Sequence, residues 1–254
     1  MKSLILKISF SVFLASASVS IHAQLTNNPA EIEKLLKKSL QGDHQAAMIL
    51  AANAHNLNTP AVEDYQRYQK YAEKGDYAFQ YLLANEYFNH AEDELAMKWL
   101  TRSAEAGFAV AQADLGKIYI EGDVVEPDLK KATQYLNKAA AQQHAQAQYD
   151  LAQLYLEGQG VTKDLGIAKG LLELAGQQKH EEALTRLGEM YENGQGVTKN
   201  YKMAADYYLQ AAKAVNLGEM APSYKYLADL YETGGYGLKK DLRKAKEYRE
   251  MVDE

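Results

Sequence analysis

The chain has 254 residues, 28 Lys and Arg against 34 Asp and Glu, a net charge of −6, and no cysteine. Its 47% hydrophobic and 24% charged residues are ordinary for a globular domain and exclude a disordered chain, while the acidic balance removes any broad attraction for nucleic acid or an anionic bilayer. The absent thiols exclude disulfides, thiolate metal sites and cysteine nucleophiles together.

Residues 1–23 have the layout of a secretory signal. Lys2 and Lys7 form a short basic start, Ile8–Leu14 is apolar, and small residues lead to Ala23 before Gln24. The stretch is shorter than the roughly 20 apolar residues a spanning helix needs. The expectation is a cleaved signal, export to the periplasm (alternatively secretion) and no membrane insertion after cleavage. Residues 24–42 then read as a linker with a lone helix at about Pro29–Leu40.

Most of the remaining chain is one pattern repeated. Ala111, Leu115, Gly116, Tyr119 and Gly122 recur thirty-six residues on as Ala147, Leu151, Ala152, Tyr155 and Gly158. They recur again as Ala183, Leu187, Gly188, Tyr191 and Gly194. Asp128, Asp164 and Asn200 keep step, as do Ala132, Ala168 and Ala204, and Ala139, Ala175 and Ala211. A further copy carries Leu227, Tyr231, Gly234, Asp241 and Ala245; degraded ones precede, with Leu83 and Tyr87, and with Leu50 and Ala54. Six units are predicted, at about 43–75, 76–107, 108–143, 144–179, 180–217 and 218–254. The solenoid runs over 43–240, and the Lys-, Arg- and Glu-rich segment 241–254 caps the last unit.

Each unit reads as two helices. Ala111, Leu115 and Tyr119 fall on one helical stripe, Gly122 breaks the helix, and Asp128 caps the next. Small residues at 116, 152 and 188 should let the paired helices approach, with the tyrosines filling the adjoining space. One hairpin cannot bury its apolar face alone, so the units must stack.

These residues resemble the Sel-1-like repeat, a branch of the tetratricopeptide-type α-solenoids: Ala-x-x-x-Leu-Gly-x-x-Tyr, then Gly-x-Gly-Val-x-x-Asp, then Lys-Ala. Residues 183–212 match most fully, and Val124 departs from the second loop glycine. The resemblance implies an all-α, right-handed solenoid of helix-turn-helix units that binds other proteins. Exported bacterial relatives include envelope-assembly factors, host-interacting factors and immunity proteins that neutralise secreted toxins. The implied role is a non-catalytic protein-binding module, a periplasmic adaptor or an immunity protein. The alternatives are a secreted factor binding a host protein or, after it, a penicillin-binding or penicillin-hydrolysing enzyme. The cysteine-rich, penicillin-binding branch fits poorly a chain without cysteine.

Gly158-Gln-Gly160 and Gly194-Gln-Gly196 recur with the repeat and lack the context of a phosphate loop. His144 and His180 are repeat-equivalent and read as inter-repeat turn residues; no His pair has the i, i+4 spacing of a metal site on one helix. His44, His55 and His90 have no partner in the pattern, and no serine-nucleophile motif occurs. No catalytic group, cofactor or metal is predicted. The candidate site is a groove along the first helices. It places Asn85, Lys117, Gln153, Glu189 and Asp229 at one position of successive units and Phe88, Ile120, Leu156, Glu192 and Glu232 a turn further on. Phe88, Ile120 and Leu156 are expected to face outward as an apolar strip, with the four acids forming an acidic end.

Overall fold

The computed structural model describes residues 29–39, 41, 43–53, 65–214 and 222–253. The expected signal and His55 lie outside the described residues. Those residues fall into two compact units, one ending at His144 and one beginning at Ala145. Both are helical; among the described residues the single strand-like feature is a bridge between Gly235 and Leu238.

The first unit holds α1 (Pro29–Ser39), α2 (His44–Asn53), α3 (Tyr65–Ala72), α4 (Tyr77–Asn89), α5 (Asp93–Glu105), α6 (Ala109–Glu121) and α7 (Leu129–Ala141). Helix α4 pairs with α5 and α6 with α7; α5 packs on α6, and α2 and α3 pack on α4. The lone helix expected at about 29–40 is α1, which packs on α2. Phe79, Tyr81, Leu83, Leu100 and Leu115 are fully buried here.

The second unit holds α8 (Ala145–Glu157), α9 (Leu165–Gln177), α10 (Glu181–Asn193), α11 (Tyr201–Ala214), α12 (Ser223–Thr233) and α13 (Leu242–Asp253). They form the hairpins α8–α9, α10–α11 and α12–α13, each stacked on the next.

The repeat explains the packing. Ala132, Ala168 and Ala204 are buried, as are Ala139, Ala175 and Ala211, and Leu115, Leu151, Leu187 and Leu227. The carboxylates of Asp128, Asp164 and Asp241 accept from the backbone N–H groups two and three residues on, satisfying helix-start donors that would otherwise lack a partner. Asn200 does the same for Met203. The backbone N–H of each capping residue also donates to the motif tyrosine before the loop: Asp128 to Tyr119, Asp164 to Tyr155, Asn200 to Tyr191 and Asp241 to Tyr231. Gly122, Gly158 and Gly194 end their helices with φ of 74°, 74° and 73°, where a β-carbon would be strained.

The tyrosines do more than fill space. Tyr119 lies over Tyr135 with 6.1 Å between ring centres, Tyr191 over Tyr207 at 5.6 Å, and Tyr231 over Tyr248 at 5.8 Å. Each pair closes its hairpin with an offset aromatic contact. A ladder of glutamines ties successive elements. Gln80 Nε2 donates to the Ala72 carbonyl and Gln112 Nε2 to the Ala104 carbonyl, while Gln142 reaches Gln112 and Gln178 reaches Gln148. The amides of Gln80, Gln112 and Gln148 are buried and so need such partners. At the next equivalent position Leu184 stands instead, packed where a β-carbon on Gly176 would meet it at 2.9 Å.

Candidate functional site

In the first unit, α4 and α6 adjoin through Tyr81, whose hydroxyl donates to Asp114 at 2.7 Å and whose ring meets Phe108 edge-on. Burial, and after it the Asp114 carboxylate, push the Tyr81 hydroxyl well above its ordinary pKa. This buried pair fixes the register of the two helices. Beside it Asn85 is half-buried and donates to the Tyr81 carbonyl at 2.9 Å, and Phe88 packs its inner side on the core. On α6, Lys117 pairs with Glu121 at 3.6 Å, and Ile120 is half-exposed at the helix end. The first two positions of the expected track therefore lie on adjoining helices.

The second unit departs from the expectation. Leu156 is 2% exposed and belongs to the core with Ala152, Ala168 and Leu172. It stands four residues after Ala152 and continues that stripe into the last turn of α8, where α9 covers it. The apolar strip thus loses its third member. Gln153 is half-buried and reaches the Tyr149 hydroxyl at 3.3 Å.

The acidic end is largely neutralised within the chain. Glu189 pairs with Arg186 at 2.6 Å, and Arg249 lies between Asp229, at 3.3 Å, and Glu232. Glu192 accepts from the Tyr208 hydroxyl at 2.7 Å. Tyr208 is fully buried, and burial together with that carboxylate pushes its pKa far up. Sequence reasoning missed Tyr208 and Arg249. The visible signal was Tyr208 standing where the equivalent second helices have Leu136 and Leu172.

His180 sits in the inter-repeat turn as expected and caps α10. Its Nδ1 accepts from the Ala183 N–H at 3.3 Å, which leaves Nε2 protonated to donate to Gln146 at 3.0 Å. The ring stacks on Tyr149. Burial lowers its pKa, opposed by the nearby Glu182 carboxylate. Among the described residues no three His, Asp or Glu side chains converge to hold a metal ion, and no helix is long and apolar enough to cross a membrane.

Comparison with known proteins agrees with this architecture. The Sel1 repeat family matches residues 91–108, 109–144, 145–180, 181–216 and 221–248. No curated protein matches the chain. A protective antigen present in uropathogenic Escherichia coli strains, with an SLR fold, is 26% identical with a TM-score of 0.71; the match covers 87% of this chain and 48%, about half, of that one. A Sel1 repeat protein from Oxalobacter formigenes is 24% identical with a TM-score of 0.59, over 87% of this chain and 83% of that one. An immunity protein from Pseudomonas aeruginosa is 21% identical with a TM-score of 0.48, over 82% and 80%. With capped helix hairpins repeating through both units and the family matched over more than half its length, the chain belongs to the Sel1 repeat family, an α-solenoid fold of protein–protein interaction.

Proposed function

We propose that the chain is an exported, non-catalytic module that binds a protein partner through the first-helix surface of α4 and α6. The observation that carries this reading is the placement of Asn85, Phe88, Lys117 and Ile120 on two adjoining helices, with Ile120 half-exposed where the hairpin core does not need it. An apolar side chain between polar ones, on a rigid helical support, is a suitable anchor for a partner. A periplasmic adaptor and an immunity protein that sequesters a toxin both fit this surface. Secretion to meet a host protein uses the same physics in another place.

The experiment has two arms. Tagged full-length protein is expressed, fractionated and its N-terminus sequenced; export predicts a mature protein beginning at Gln24 in the periplasmic fraction. Capture from an envelope extract then identifies what copurifies. A chain that keeps Met1 and stays in the cytoplasm would contradict export, and no copurifying protein in any fraction would contradict the binding role.

A further inference from the structure

The C-terminal hairpin holds a second surface of opposite character. A cleft of about 970 Å3 opens between α11, the loop after α12 and the first turn of α13. The loop is held against α11 by the hydrogen bond from the Tyr201 N–H to the Tyr236 carbonyl at 2.9 Å. Lys202 lines one wall, Lys239 and Lys240 the loop side, and Lys244 the α13 side. Among the described residues none of the four has an ion-pair partner, although other exposed cations nearby do: Arg243 with Glu247, Lys246 with Glu250 and Arg249 with Asp229. Lys244 lies over the Tyr231 ring, 4.8 Å from its centre.

Two aspartates share the lining, Asp206 and Asp241. Asp241 is committed to capping α13, where it accepts from the Arg243 and Lys244 N–H groups at 3.1 Å. The cleft therefore carries net positive charge in a chain whose total is −6. A concave site of one sign focuses the field and attracts the opposite charge. The walls are also apolar in part: Tyr231 and Leu238 form the lining, and Leu242 stands 60% exposed at the edge.

We infer that this cleft binds an acidic segment of a protein partner, with Asp and Glu side chains met by Lys202, Lys239, Lys240 and Lys244 and an apolar residue seated on Leu238 and Leu242. The inference rests on the protein-binding reading for the kind of partner and on the charge of the cleft for its chemistry. A peptide fits better than a phosphate group. The lining has no arginine fork to grip a phosphate bidentately, and a phosphate would leave the apolar Leu238 and Leu242 of the same lining uncovered.

The test is fluorescence anisotropy of the full chain with a labelled peptide of Glu-Asp-Leu repeats. Affinity should fall steeply with salt, and Lys239→Glu with Lys240→Glu should weaken it about tenfold or more. Lys130→Glu, a control in the first unit, should leave it unchanged. Should the charge-reversed protein lose helicity, Lys239→Gln with Lys240→Gln serves instead, with a smaller loss in the same direction. Undiminished binding by the lysine variants would overturn the inference. So would equal competition by inorganic phosphate or by phosphatidylglycerol vesicles, because the ligand would then be a phosphate group and not an acidic peptide. None of these arms involves Ile120, so failure here is separate from failure at the α4–α6 surface.

Discussion

The Tyr208 hydroxyl donates to Glu192 from a ring that lies where a side chain on Gly188 would be: a β-carbon there would come within 2.4 Å of it. In the preceding hairpin the same two places hold Ala152 and Leu172, both buried. In α10–α11 the larger ring fills the space that a β-carbon would take, while in α6–α7 the missing β-carbon of Gly116 faces Leu136 at 2.6 Å. Gly188→Ala should destabilise by about 1–3 kcal/mol through overpacking. Adding Tyr208→Leu to Gly188→Ala should recover much of that loss, by restoring the neighbouring hairpin's pairing. Urea midpoints of the two single variants and the double variant check this, and simple additivity would contradict it.

Leu151→Ala should cost about 2–5 kcal/mol, and Leu156→Ala should fall in the same range, since both leucines are 2% exposed. Gln153→Ala should cost far less, because its contact is a 3.3 Å hydrogen bond to Tyr149 on the same helix. Thermal melts separate the two classes. A silent Leu156→Ala would restore the outward strip.

Much of this was legible in the residues. Helix starts at Asp128, Asp164 and Asp241, helix ends at Gly122 and Gly194, and the leucine–alanine stripe are local signals that recur, and recurrence makes them firm. The candidate site was less legible because its position in the repeat changes chemistry along the chain. Phe88, Ile120, Leu156, Glu192 and Glu232 share a register yet face different neighbours: Leu156 meets α9, Glu192 meets Tyr208, and Glu232 meets Arg249. Those partners lie on other helices, and the repeat pattern of the first helix carries no information about them.

Gly75 and Gly107, at the turns between units, have φ of 93° and 101°, and the equivalent Gln143 and Lys179 are held at 62° and 63°. A β-carbon in that region is strained, and glycine relieves the strain against a smaller entropic cost. Lys179→Gly should therefore stabilise the chain by about 0.5–1 kcal/mol. A lower melting temperature for this variant would show that the turn favours the lysine.

Acid should act on the His180 cap. Burial sets its folded pKa below the unfolded value, so its neutral capping role contributes fully above about pH 6.5 and is lost as pH falls through the folded value. Asp128 and Asp241, lowered chiefly by the N–H groups they cap, lose their contribution only in the acidic carboxylate range. Glu86 and Glu181, raised by burial, act in the opposite sense. Replacing His180 with Asn keeps a good cap without the titration. Its urea midpoint should change less than that of the natural chain between pH 7 and pH 5; an unchanged slope would place the titration elsewhere.

The binding surface itself rests on Ile120. With the copurifying partner in hand, the affinities of the natural chain, Ile120→Ser and Ile120→Val are compared by titration, with circular dichroism to confirm unchanged helicity. A buried apolar anchor predicts a loss of about thirtyfold for Ile120→Ser, the equivalent of about 2 kcal/mol, and near-natural affinity for Ile120→Val. Full affinity in Ile120→Ser, with helicity intact, would contradict the assignment of α4 and α6 as the surface that meets the partner.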